Sequence, residues 1–165
     1  MRLFIMRHGQ AEPGGECSDE ERQLTSAGIA ELATTTKGLW SLGVSVELIA
    51  HSPLVRTVQT AEIVGKGLGP DTELLKVPSL APGASPEGIY KEIVGLSRFK
   101  SLMIVGHAPD VSGICHYLIT TQYRGSLDFA PASVACIEFP GAAAPGEGKI
   151  LWFMSANQLK DLVEG

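Results

Sequence analysis

An arginine and a histidine stand side by side where an apolar run ends, in LFIMRHG (residues 3–9), and a second apolar run, LMIVGH (residues 102–107), also ends on a histidine. Between them Arg56 lies inside SPLVRTVQTAE (residues 52–62). Imidazole attacks through whichever ring nitrogen lacks its proton, and guanidinium is a planar cation whose fork of donors fits phosphoryl oxygens. A phosphoryl group carries about two negative charges at neutral pH, and its transfer depends on positioning and on stabilising charge spread over its oxygens. Arg7, His8, Arg56 and His107, if gathered, form a sufficient core for phosphoryl transfer to His8, with no metal and no cofactor.

For His8 to attack, one ring nitrogen must be fixed by donating to a backbone carbonyl, and Gly9 lets the chain bend close enough to supply one. Neighbouring arginines disfavour the imidazolium form and keep the free ring nucleophilic. Taken singly, Arg7 or Arg56 reads more readily as a structural ion-pair residue; the set together reverses that reading in favour of chemistry. His51 reads as structural or surface, and His116, inside a helical segment, as packed or solvated.

These groups must be delivered by strand ends, where ligands bind in open α/β sheets. Leu3–Met6 and Leu102–Val105 read as buried strands, with another over Val46–Ala50 and a weak one over Glu73–Val77. Thr25 is placed to cap a helix whose Ile29, Leu32, Ala33, Thr36 and Trp40 share an apolar face, with Leu24 and Ile29 spaced as a hydrophobic staple and a stop near Gly43. Ser52-Pro53 reads as a helix opening, serine as cap and proline at the first helical position, with Leu54, Val58 and Ala61 turned inward. Further helices are expected over Glu87–Leu96 and Pro109–Ile119, and two closing strands over Ser133–Phe139 and Lys149–Ser155. This order predicts one α/β sandwich domain over residues 1–165 with a mixed sheet.

The 165 residues carry a formal charge of −5, so no overall basic field exists to hold nucleic acid or an anionic membrane surface. Three cysteines without a CxxC pair fit a reducing compartment, and no long apolar run marks a leader or membrane span, so a cytoplasmic protein is expected. CSDEER (residues 17–22) is too acidic for a cysteine phosphatase loop, GKGLG (residues 65–69) lacks Walker spacing, and His107 with Asp110 makes no complete metal ligand set.

RHG, LTSAG (residues 24–28), SPLVRTVQTAE and VGHAPDVS (residues 105–112), in this order and spacing, resemble the histidine phosphatase superfamily, and most closely its small SixA-type branch of phosphohistidine phosphatases. The resemblance runs to about residue 120, with an echo in LWFMSANQL (residues 151–159). It implies a three-layer α/β/α sandwich with a mostly parallel central sheet, like phosphoglycerate mutase. It further implies that His8 is transiently phosphorylated, that Arg7, Arg56 and His107 bind the phosphoryl oxygens, and that water hydrolyses the intermediate. Arg22 resembles an additional phosphate-binding arginine, although a solvated loop arginine would look the same.

Many members of the wider superfamily supply a carboxylic acid to protonate the leaving oxygen. Here the candidates are Glu87, at a helix start where glutamate is often only a dipole partner, and Asp110, which could equally open a helix. Weak acid assistance suits a good leaving group such as the imidazole of phosphohistidine. Only 50 residues separate Arg56 from His107, and core elements use them, so an open site able to admit a protein side chain is expected. The expected partner is a phosphorylated substrate, either a phosphohistidine-containing protein or a small phosphate monoester. The rival from another class is a non-catalytic phosphate-binding module, and a mutase would need an enclosure for which the chain is too short.

Overall fold

The computed structural model describes residues 1–15, 17–122 and 127–164. Its strands are β1 (Arg2–Arg7), β2 (Leu48–His51), β3 (Glu73–Lys76), β4 (Ser101–Gly106), β5 (Val134–Glu138) and β6 (Lys149–Met154). Its helices are α1 (Ser26–Ser41), α2 (Val55–Leu68), α3 (Pro86–Gly95), α4 (Asp110–Thr120) and α5 (Ala156–Glu164). The strands form one sheet in the order β3-β2-β4-β1-β5-β6. The first four run parallel, whereas β5 pairs antiparallel with both β1 and β6, giving the mixed sheet and closing hairpin expected from the sequence.

Alternation along the strands builds two cores, because successive side chains leave a strand on opposite faces. Leu3 and Ile5 of β1, with Leu102 and Ile104 of β4, join Ile93 of α3 and Ile114 and Leu118 of α4 on one face. Phe4, Met6, Met103 and Val105 meet Leu32 and Leu39 of α1, Ala61 and Val64 of α2 and Leu159 of α5 on the other. The result is a three-layer α/β/α sandwich. Among the described residues no helix is long and apolar enough to cross a membrane. Cys17, Cys115 and Cys136 are all free thiols.

Thr25 caps α1 as expected, its hydroxyl accepting from the Gly28 amide at 2.9 Å. The buried face of that helix differs from the expected one. Ile29 and Trp40 are 44% and 66% exposed, while Gly28, Leu32, Thr35, Thr36, Gly38 and Leu39 face inward. Close approach explains the rotation, since a Cβ at Gly38 would lie 2.2 Å from the Leu159 carbonyl oxygen and one at Gly28 would lie 2.3 Å from that of Gln10. Small residues let α5 and the loop after β1 settle against the α1 backbone. The second correction is at α2, which begins at Val55 with Leu54 as its cap, two positions later than serine capping would place it. Helix α5, within a tail read only as strand, is an addition.

Candidate active site

Strands β1, β2 and β4 end together, and the catalytic candidates emerge from that edge. The backbone amide of His8 donates to Gly106, its carbonyl accepts from Ala132, and the Arg7 amide donates to Ser133, so residues 7 and 8 are held between β4 and the approach to β5. Gly9 then turns under α1, where a Cβ would lie 2.6 Å from Leu32 Cδ1. Its amide donates to Thr60 Oγ1 at 3.1 Å, and the Thr60 hydroxyl donates to the Arg56 carbonyl at 2.7 Å. Thr60 thereby ties the loop after β1 to the first turns of α2.

His8 is 8% exposed, Arg56 4% and His107 3%. His8 Nδ1 lies 2.7 Å from the Gly9 carbonyl oxygen. A carbonyl can only accept, so in the neutral ring the proton resides on Nδ1 and the lone pair on Nε2. Arg56 Nε donates to that Nε2 at 3.3 Å. The His107 ring sits 5.2 Å from that of His8, with its Nδ1 3.5 Å from Arg56 Nη2 and its Nε2 2.8 Å from Ser52 Oγ.

Burial, followed by the charges of Arg56, Arg7 and Arg22, brings the His8 pKa down to about 4 against an opposing bond to Gly9. Burial also leads at His107, helped by His8 and Arg56, and takes it to about 3. Both rings are therefore neutral at physiological pH. Arg7 Nη1 donates to the Phe129 carbonyl at 2.6 Å, while its Nε is buried with no hydrogen-bond partner among the described residues. Charge-bearing donors around a neutral imidazole make a cradle for a tetrahedral oxyanion.

The sequence pattern of the histidine phosphatase superfamily (branch 1) matches residues 3–81. A phosphohistidine phosphatase SixA homolog of Haemophilus influenzae is 32% identical over 154 residues, covering 86% of this chain and 90% of that protein. The chain belongs to the histidine phosphatase superfamily. Phosphohistidine phosphatase SixA of Escherichia coli (strain K12) is 29% identical over 164 residues, 97% of each chain. A solved structure of the protein histidine phosphatase SixA complexed with tungstate superposes with a TM-score of 0.84 at 28% identity, covering 97% of this chain and all of that one. As a SixA-type histidine phosphatase, the protein is a hydrolase that works through histidine on a phosphorylated substrate.

The remaining candidates sit further out. Arg22 Nε donates to the Glu12 carbonyl at 2.7 Å, and Arg22 Nη1 pairs with Asp19 Oδ1 at 2.7 Å, so this arginine meets the central group through Asp19. Asp110 is half-buried, and its Oδ2 accepts from the Gly83 and Ala84 amides at 2.8 and 3.3 Å, tying the loop before α3 to the start of α4. Burial raises its pKa, partly opposed by those two amides. Glu87 is exposed in the first turn of α3. The structure thus links His8, Arg56 and His107 by hydrogen-bond contacts, with Arg7 near enough for its charge to act on both rings, while Asp110 is tied to the loop before α3 and Glu87 lies in the first turn of α3.

Ser52, Thr60 and Asp19 contact His107, the loop after β1 and Arg56 respectively, but are not among the residues the sequence singles out for chemistry. Ser52 does accept from the Leu54 amide at 3.3 Å, a cap-like contact, yet the same oxygen faces His107. Thr60 stands one helical turn after Arg56, a spacing that places two side chains on one face. Asp19, three residues before Arg22, carried a similar signal.

Proposed function

We propose that this phosphatase cleaves phosphohistidine in a protein substrate, with His8 Nε2 as nucleophile. The Nε2 lone pair attacks phosphorus, the bond from phosphorus to the substrate imidazole nitrogen breaks, and that nitrogen leaves with the electron pair and takes a proton from solvent. Water then attacks the phosphoryl group on His8, the P–N bond breaks, and inorganic phosphate departs as Nε2 regains its lone pair. Arg7, Arg56 and His107 take the equatorial oxygens. The observation that carries the reading is the Nδ1 contact to Gly9 with Arg56 Nε on the opposite ring nitrogen, which points a neutral lone pair at a cationic cradle.

In the free site the 3.5 Å contact from Arg56 Nη2 makes His107 Nδ1 an acceptor, because a guanidinium only donates; Nδ1 donates to a bound phosphoryl oxygen once the ring proton sits there and Nε2 accepts one instead. The Ser52 hydroxyl, at 2.8 Å, is placed to supply that proton. Substrate class follows from the leaving group. Asp19 is held ionised by arginines, Glu87 lies at an exposed helix start, and Asp110, although burial raises its pKa, has Oδ2 tied to loop amides, so the site suits a leaving group that needs little acid. A substrate imidazole needs less help than an alkoxide.

The interval from Arg56 to His107 is occupied by the rest of α2, β3, α3 and β4, which supports access for a protein side chain. The relatives named SixA support the same class. The test is kcat/KM for a phosphohistidine peptide against an aryl phosphate and an alkyl phosphate ester. The reading expects the peptide to lead and the alkyl ester to be slowest; a preference for the alkyl ester overturns it.

A further inference from the structure

Asp19 is an exposed side chain of the short 3-10 turn Asp19–Glu21, in the loop between β1 and α1, yet it reaches the buried centre of the site. One carboxylate oxygen, Oδ1, takes Arg22 Nη1 at 2.7 Å, and the other, Oδ2, takes Arg56 Nη2 at 2.9 Å. The Asp19 backbone carbonyl takes Arg56 Nη1 at 2.6 Å. The Arg56 guanidinium is therefore held on both terminal nitrogens by a single residue, which leaves Nε directed at His8 Nε2. The Arg56 side chain is only 5% exposed while that of Asp19 is 56% exposed, so the loop reaches in from solvent to a buried cation.

We propose that Asp19 is a positioning residue of the phosphatase reaction, setting the rotation of Arg56 about its side-chain axis and docking Arg22 beside it. The proposal rests on the reading of His8 as nucleophile and Arg56 as an oxyanion donor. A planar guanidinium stabilises a trigonal-bipyramidal phosphoryl group only when its N–H vectors point at the equatorial oxygens, and its side-chain torsions otherwise leave it free to rotate. Fixing two nitrogens removes that freedom before substrate arrives. The same bridge brings Arg22 toward the cluster, where its charge acts on His8. Asp19 is not the proton donor, because both arginines hold its carboxyl below the ordinary aspartate range.

The opposite possibility is that the carboxylate stands where substrate phosphate must go and competes with it. The two ideas predict opposite signs for anion binding. The experiment compares parent, Asp19→Ala, Asp19→Asn and His8→Ala for kcat and KM on an aryl phosphate and for affinity toward orthovanadate, with thermal midpoints as a folding control. Asn keeps one acceptor oxygen and the backbone carbonyl, so it preserves part of the positioning.

Positioning predicts that Asp19→Ala lowers kcat by about 10- to 100-fold, since misplacing a reacting or stabilising group costs rates of that order. Vanadate affinity falls several-fold with it, and Asn lies between Ala and the parent on both measures. Tighter vanadate binding in Asp19→Ala, or an unchanged kcat, overturns the proposal. Should Ala not fold, Asn carries the same decision by the sign of its vanadate change. If His8→Ala turns over as fast as the parent, the nucleophile reading fails, and the vanadate result still decides the role of Asp19.

Discussion

His8 directly follows the last residue of β1, and His51 is the last residue of β2. Both are buried, and each has Nδ1 against the carbonyl of the next residue, Gly9 at 2.7 Å and Ser52 at 2.9 Å. Local geometry therefore offers two imidazoles with the same tautomer. What separates them is their company: Arg56 Nε reaches His8 Nε2 and the His107 ring stacks obliquely beside it, whereas among the described residues no arginine hydrogen-bonds to His51. The pin selects a tautomer, and the cations decide whether the lone pair has anything to do.

The sharpest break of that comparison is removal of each ring. His8→Ala lowers kcat/KM by about 10³-fold or more, as loss of a nucleophile does, while His51→Leu stays within about 3-fold of the parent in the same assay. Equal losses at both positions would erase the distinction. Next in size is Arg56→Lys, which keeps the charge but loses the Nε contact and the fork; it lowers kcat by about 10²-fold, the scale of one lost oxyanion donor. A rate near the parent would mean that charge alone suffices.

Ser52→Ala sharpens the comparison from the side of His107. It removes the partner of Nε2, lowers kcat by about 10-fold and leaves phosphorylation at His8 detectable, whereas Ser52→Thr, which retains a hydroxyl, recovers most of the rate. Acidity gives a subtler contrast. With His8 at about 4 and His107 at about 3, the acid limb of kcat/KM falls near pH 4, well below the 6.5 of an unperturbed histidine. Both folded-state pKa values lie below the unfolded one, so the unfolded chain binds more protons between about pH 4 and 6.5, and the fold loses stability as pH drops through that window. An acid limb at 6.5 would contradict the effect of burial. The smallest expected change is in stability, where His51→Leu costs about 1–2 kcal/mol in a denaturant titration by losing a buried hydrogen bond.

Much of the scaffold was legible because the strands are buried on both faces and write themselves as unbroken apolar runs, and because glycines and Thr25 mark helix ends. The order Arg7-His8, Arg56, His107 at three strand ends was legible for the same reason. The inward face of α1 was not, since Gly28, Thr35, Thr36 and Gly38 are chosen for their smallness against α5 and a loop, a tertiary requirement that hydrophobic periodicity cannot express. Helix α5 follows β6 after a single residue, Ser155, so the apolar strand pattern masked its onset. Ser52 was read from its local place before a proline, but its partner, His107, lies 55 positions away. Asp19 looked like one carboxylate in a solvated acidic run, and only folding brings Arg56 to it.

The central claim is that His8 receives the phosphoryl group on Nε2 because Nδ1 is tied to Gly9. Rapid acid-free quenching during turnover, followed by nitrogen-15 and phosphorus-31 NMR of the trapped protein, distinguishes the two phosphohistidine isomers directly. The account predicts a base-stable, acid-labile label on Nε2 of His8; a label on Nδ1, on another residue, or none during active turnover would contradict it.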